Sequence, residues 1–379
     1  MDMRNSLSPF LIHIPDEEVS FLQMRLQQTR WAPPIDSSGW SDGTDQNQLR
    51  DLINFWANDY KWRDRERLLN KFNHFTACIE DSIIHFIKAD GKGDNSIPLL
   101  LMQGWPSSFV QMLDIIPLLT EIRQDGTPSF DVIAVSIPGY LFSQTPAKHG
   151  MNFLKIAELI KKLMLDHLGY KKFAMRGSDQ GALVQQQIGL QYPEYIIGIH
   201  RTGNNPFINP LPVDLSDREI SYQQEVSAWA KVETAYANIQ AARPETIIPA
   251  LADSPVGLAS WIIEKFQRWG DCNGDIYKCF GRDKLLDNLS LHWFSGAASI
   301  RLYHEAMLDP GLTGFIEIPT GIIMPLRDRI TVPAPREWAE RFYNIQRWTV
   351  MEKGGHFSEW EIPEETADDI RNFFMDITK

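Results

Sequence analysis

Cysteine is scarce in this chain: 379 residues hold three, Cys78, Cys272 and Cys279. An odd, sparse set builds no disulfide framework and fits a reducing compartment. Cys272 and Cys279 have no nearby Cys or His pair at a zinc-site spacing, so they read as ordinary thiols and no metal is expected. Positive charge is in deficit too. Lys and Arg number 37 against 49 Asp and Glu, a net charge of −12, and such a chain repels nucleic-acid phosphates and anionic lipid. No apolar run reaches the roughly 18 residues that cross a membrane. The opening "MDMRNSLSPFLIHIPDEEV" lacks the apolar stretch of a signal peptide, and the final "ITK" is no peroxisomal address. The expectation is a cytoplasmic protein without nucleic-acid partner or membrane anchor. Repeats and low-complexity tracts are absent as well.

What the chain does have is core-forming material. Hydrophobic residues make up 43% and charged residues 23%, enough for a large core in two or three units of about 150 residues. Residues 1–80 are polar, Trp-rich and mostly helical in pattern; "DEEVSFLQMRLQQTRW", with Asp16 able to cap it, and "LRDLINFWANDYKWRDRERLLNKF" carry apolar residues at helical spacing. With no strong strand signal, this stretch reads as a meander wrapping the core. Short β-rich runs then alternate with helical stretches: "SIIHFIKA", "IPLLLMQ", "FDVIAVSI", "KKFAMR" and "IIGIHR". That alternation predicts a mostly parallel central sheet flanked by helices. The rhythm stops over 206–310, which is helical and aromatic, and resumes with "IPTGIIMP" and "QRWTVMEK". The expected division is therefore a meander (1–80), a core (81–205 and 311–379) and a helical lid (206–310), with a ligand cleft between lid and sheet.

One turn carries the chemistry. In "MRGSDQGALV" an acid, Asp179, stands between Gly177 and Gly181, each two residues away. This is the small-x-nucleophile-x-small pattern of a nucleophile elbow, a strand-to-helix turn too tight for side chains two residues from its tip. Ser178 fails in that frame, because Arg176 and Gln180 would flank it. A helix N-cap is the bland alternative for Asp179. The order nucleophile, acid, histidine of the α/β-hydrolase fold is completed by Asp328 in "PTGIIMPLRDRITVP" and His356 in "MEKGGHFSEW", each just beyond a strand. Asp328 could instead pair with Arg327 or Arg329, and His356 could be a surface loop residue. "LLLMQGWPSSF" supplies Gln103, Gly104, Trp105 and Pro106 after a strand. The Trp105 N–H there and the Gln180 N–H would form an oxyanion hole.

With those segments in place, the chain resembles the epoxide hydrolases of the α/β-hydrolase fold, in particular the microsomal and juvenile-hormone branch. "FWANDYKWRDRERLLNKFNHFTACIEDSIIHFI" resembles the branch's N-terminal meander, "SIPGYLFSQTP" its "PGYGFS" stretch, "ADSPVGLASWIIEKFQRW" its lid and "GGHFSEWEIPE" its histidine segment. The resemblance implies attack by Asp179 on an epoxide carbon to give an alkyl-enzyme ester. Water activated by His356, itself oriented by Asp328, then hydrolyses that ester to a vicinal diol. It also implies two lid tyrosines that hydrogen-bond the epoxide oxygen. "VETAYANIQ" matches the first at Tyr236 and "ASIRLYHEAML" the second at Tyr303, where packed aromatics are the plain alternative. No cofactor is implied. The expected partners are a bulky apolar epoxide and water, and a homodimer stays open.

Two positions depart from the family pattern. Gln103 stands where the turn usually begins with histidine, and Gln180 where tryptophan usually follows the nucleophile. Both bear on the substrate. Other outcomes of the same site are epoxide opening by the substrate's own hydroxyl and haloalkane dehalogenation, the latter disfavoured because Gln180 replaces a halide-binding tryptophan. A non-catalytic ligand-binding hydrolase fold is a further alternative, with no need of a full Asp/His/Asp set.

Overall fold

The computed structural model describes residues 7–33, 39–203, 211–311, 313–330 and 332–379. Nine strands form one sheet: β1 (Leu7–Phe10), β2 (His74–Ile79), β3 (Ser82–Ala89), β4 (Ile97–Met102), β5 (Phe130–Val135), β6 (Phe173–Gly177), β7 (Ile196–Thr202), β8 (Ile316–Pro325) and β9 (Tyr343–Met351). Their order is β1-β2-β3-β5-β4-β6-β7-β8-β9. The first three strands run antiparallel to their neighbours, and everything from β5 to β9 pairs in parallel. Parallel strands covered on both faces need apolar residues on both sides. This is why "IPLLLM" shows no alternation: Leu99, Leu100, Leu101 and Met102 are all fully buried. The fold is the expected α/β-hydrolase arrangement.

The first 80 residues hold more strand than their mostly helical pattern predicts. They contribute β1 and β2, which extend the sheet. β1 is four residues long and contains Pro9, which an edge strand tolerates and a central strand does not. Its signal is accordingly weak. Asp16 opens the helix Asp16–Gln27 as its first residue, not its cap, and pairs with Arg63. The second helical stretch is broken into Gln46–Asn58 and Trp62–Leu69.

These helices hold the lid. Tyr60 Oη donates to Asp287 Oδ1 at 2.8 Å, Arg65 pairs with the same carboxylate at 2.6 Å, and Trp56 Nε1 donates to Ser290 Oγ at 3.1 Å. All three contacts reach the lid helix Arg282–Phe294. Arg25 Nη2 adds a 2.8 Å bond to Asp253 of another lid helix, Pro244–Asp253. The expected lid start at residue 206 lies outside the described residues. From Asp217 to Ala306 the described lid is helical, opening with a Ser216/Glu219 capping box.

Candidate active site

Strand β6 ends at Gly177 and the helix Asp179–Gln191 starts two residues later. Asp179 takes φ +50°, a left-handed backbone that a non-glycine residue adopts only where its surroundings impose it. The neighbouring glycines show what imposes it. A Cβ on Gly181 would overlap the Met102 carbonyl, and a Cβ on Gly104 would overlap the Asp179 carboxylate. The turn is thus wedged against the end of β4 with no space for a side chain. Asp179 does not cap its helix. Its Oδ1 instead accepts a 3.0 Å bond from Trp105 N–H. Ser178 is buried and absent from the cavity lining.

Opposite the elbow, His356 lies between two carboxylates. Its Nε2 is 3.4 Å from Asp179 Oδ2, and its Nδ1 is 3.3 Å from Asp328 Oδ2. The other Asp328 oxygen accepts from Ile330 N–H at 3.0 Å, which fixes the carboxylate in its loop. Arg327 lies nearer Asp271. Burial opposes charge on His356, but Asp328 and Asp179 together outweigh it and push the imidazole up to about 10. In the resting site the ring is therefore protonated at neutral pH, a cation held between two anions.

The lid supplies the other wall. Tyr236 and Tyr303 lie with ring centroids 5.9 Å apart, and the Trp105 indole stacks on Tyr236 at 5.3 Å and meets Tyr303 edge-on at 5.9 Å. Trp105 thus serves the nucleophile with its backbone and both tyrosines with its ring. Burial raises both phenols above their usual range, so both stay protonated and able to donate. The cavity between these groups is about 230 Å³ and is lined by Asp179, Gln180, His356, Asp328, Tyr236 and Tyr303, with Phe153, Leu183, Ala306 and Ile330 as apolar walls and Arg201 and Thr202 at the end of β7 as further polar ones. A larger cavity of about 580 Å³ lies behind Tyr303's helix and is lined by none of the catalytic candidates. Among the described residues no cluster of His, Cys, Asp and Glu could hold a metal.

Comparison with known proteins decides the family. Residues 7–112 match the family described as epoxide hydrolase N terminus, and residues 97–363 match the alpha/beta hydrolase fold. The chain is 33% identical to juvenile hormone epoxide hydrolase 2 of Ctenocephalides felis, over 96% of this chain and 84% of that protein. It is 32% identical to epoxide hydrolase 1 of Sus scrofa, over 97% and 88%. It superposes on the crystal structure of juvenile hormone epoxide hydrolase from Bombyx mori with a TM-score of 0.90 at 29% identity, covering 99% of this chain and 95% of that one. The chain belongs to the epoxide hydrolase family. The likeness read from its motifs is borne out.

This family member places all ten candidate positions in one region, with unequal roles. Gln103, Gly104 and Pro106 are buried in the turn after β4 and do not line the cavity. Among the described residues, Gln103 Oε1 is left without a hydrogen-bond partner. The Pro106 carbonyl accepts from Asn288 Nδ2 at 2.9 Å, tying the turn to the lid.

Three supporting groups were not singled out from sequence. Tyr140 Oη donates to Gln180 Oε1 at 2.6 Å in a fully enclosed contact. Arg176 and Glu359, both fully buried, form a 2.8 Å ion pair beneath the site. Glu361 accepts from Gly355 N–H and Phe357 N–H, each at 2.9 Å, and from Asp271 N–H at 2.6 Å. It thereby clamps the backbone on both sides of His356 and joins it to the lid. Its position five residues after His356, in the same short segment, is the only signal that could have found it. Burial pushes its carboxyl up to about 7 against those donors. Glu361→Gln offers one acceptor where three N–H groups need two. We expect it to cost about 1–3 kcal/mol of stability and to lower kcat roughly ten-fold through a displaced imidazole. Thermal melts and steady-state kinetics check both.

Proposed function

We propose that this family member adds water to an apolar epoxide through an ester formed at Asp179. The observation that carries the reading is the single cavity in which an unblocked carboxylate faces two protonated phenols, with an imidazole in reach of the same carboxylate. A carboxylate suits an sp³ carbon because it leaves an ester behind, whose carbonyl carbon water can attack next. Asp179 Oδ1 is engaged by Trp105 N–H, so Oδ2 attacks the oxirane carbon. The C–O bond breaks and the departing oxygen takes a proton from Tyr236 or Tyr303. The apolar walls fit the body of the substrate.

Ester formation also switches on the base. Asp179 is one of the two carboxylates that keep His356 charged. Esterification neutralises it, so the imidazole loses one anionic neighbour and gives up its proton more readily, restoring the phenol. The neutral ring, oriented by Asp328, deprotonates water for attack on the ester carbonyl. The oxyanion then forms at Oδ1, against Trp105 N–H and the Gln180 N–H directly after the nucleophile. Collapse breaks the bond from the ester carbonyl carbon to the original Oδ2; that oxygen leaves with the diol and takes a proton from the imidazolium, which the newly formed carboxylic acid restores.

Single turnover in ¹⁸O-water with enzyme in excess tests this sequence. The first diol should carry no label, and the label should appear in the Asp179 carboxylate. Label in the first diol would mean direct attack by water. An unlabelled cyclic ether with unlabelled Asp179 would mean opening by the substrate's own hydroxyl.

A further inference from the structure

Gln180 does more than present a backbone N–H. Its side chain belongs to the residue directly after the nucleophile and is 6% exposed, on the cavity that it lines. Its two amide ends are in different situations. Oε1 is occupied: Tyr140 Oη donates to it at 2.6 Å. Tyr140 is itself fully buried and held by a backbone bond from its own N–H to the Ile137 carbonyl at 2.8 Å, so the contact holds the amide with Oε1 turned to the phenol. The Nε2 end has no acceptor among the described residues. The position therefore offers an N–H donor on the cavity surface beside the nucleophile, which a ligand that brings an acceptor can satisfy.

We propose that Gln180 Nε2 is a recognition point for a neutral oxygen acceptor, an ether, hydroxyl or carbonyl, on the carbon next to the oxirane, so that the preferred substrates are oxygenated epoxides with an otherwise apolar body. This rests on the epoxide-opening reading above and names the substrate class of that same site. The acceptor is neutral because Asp179, one residue away, must be anionic to attack, and a second anion beside it is repelled. Phe153, Leu183, Ala306 and Ile330 supply apolar wall; of the polar side chains that share the lining, Arg201 bonds Tyr343 Oη, and Thr202 Oγ1 is engaged by Arg176 and Ser358.

The test uses phenyl glycidyl ether and its carbon analogue, in which a methylene replaces the ether oxygen, with wild type, Gln180→Leu and Tyr140→Phe. Wild type should favour the ether in kcat/KM by roughly ten-fold. The ratio should fall to near unity in Gln180→Leu and move the same way in Tyr140→Phe, where the amide is free to turn. Comparing ratios between proteins cancels the difference in intrinsic reactivity. Calorimetric binding of the two corresponding diols reads the same contact without chemistry. A ratio unchanged by Gln180→Leu in both assays, in a variant that melts like wild type, overturns the proposal. If both epoxides are opened without preference for oxygen, the recognition point falls and the hydrolase reading stands. If neither is opened but diol affinity for the oxygenated member drops in Gln180→Leu, the hydrolase reading falls and the recognition point stands.

Discussion

Asp179→Asn should lower kcat/KM by roughly 10⁴-fold or more while leaving the melting temperature nearly unchanged. The two side chains have the same shape, and an amide oxygen still accepts from Trp105 N–H, so the bond at 3.0 Å survives. What disappears is the anion that bonds to carbon. A neutral amide is a poor nucleophile toward an oxirane, and no neighbour replaces it. Ser178 is buried outside the cavity, and Asp328 is committed to His356 and Ile330. The substitution also removes one of the two carboxylates that hold the imidazole charged, so the His356 titration should move to lower pH. NMR of the ring can follow that shift independently of activity. Because asparagine at a strained turn deamidates, each preparation is checked by mass at residue 179. Full turnover in a preparation shown to be free of aspartate would rule out attack by this side chain.

The groups that were legible share a property: chemistry fixes both their residue type and their place at a strand end. An acid flanked by glycines can be read in five residues, and the histidine and its acid follow in fixed chain order after a helical interruption. The parallel core was legible for a related reason, since strands buried on both faces are apolar without alternation. What escaped depended on which face a helix or turn shows to a partner distant in sequence. Tyr140 and Gln180 are 40 residues apart, and nothing local says that a phenol will fix an amide. Arg176 and Glu359 look like ordinary surface charges until the fold encloses both completely. β1 was missed because four residues with a proline carry almost no periodic signal, and Asp16 because a pairing with Arg63 took a side chain that otherwise suits a cap.

The second large effect is an arrest. In His356→Gln, mixing enzyme with an epoxide that wild type opens should yield a stable adduct at Asp179, one equivalent per protein, heavier by the whole mass of the substrate. The mass follows from the chemistry: opening a ring adds the molecule without expelling a group. The first step needs the carboxylate and a phenol, and the glutamine leaves Tyr236, Tyr303 and the Trp105 N–H in place. The second step needs a group that removes a proton from water, and an amide does not titrate. Loss of a general base typically costs about 10²–10⁴-fold, so ester hydrolysis slows by that factor while alkylation does not, and the intermediate accumulates. Removal of the imidazolium also takes away the charge that faces Asp179 Oδ2 at 3.4 Å, which leaves the carboxylate a freer nucleophile. Changing Tyr303 to Phe in the same background should slow formation of the adduct without affecting its lifetime, because the phenol acts on the departing oxygen and not on the ester. Peptide mapping that places the added mass on Asp179 supports the two-step order. Wild-type diol formation without any trapped ester in the variant would instead assign Asp179 the role of base for a direct attack by water.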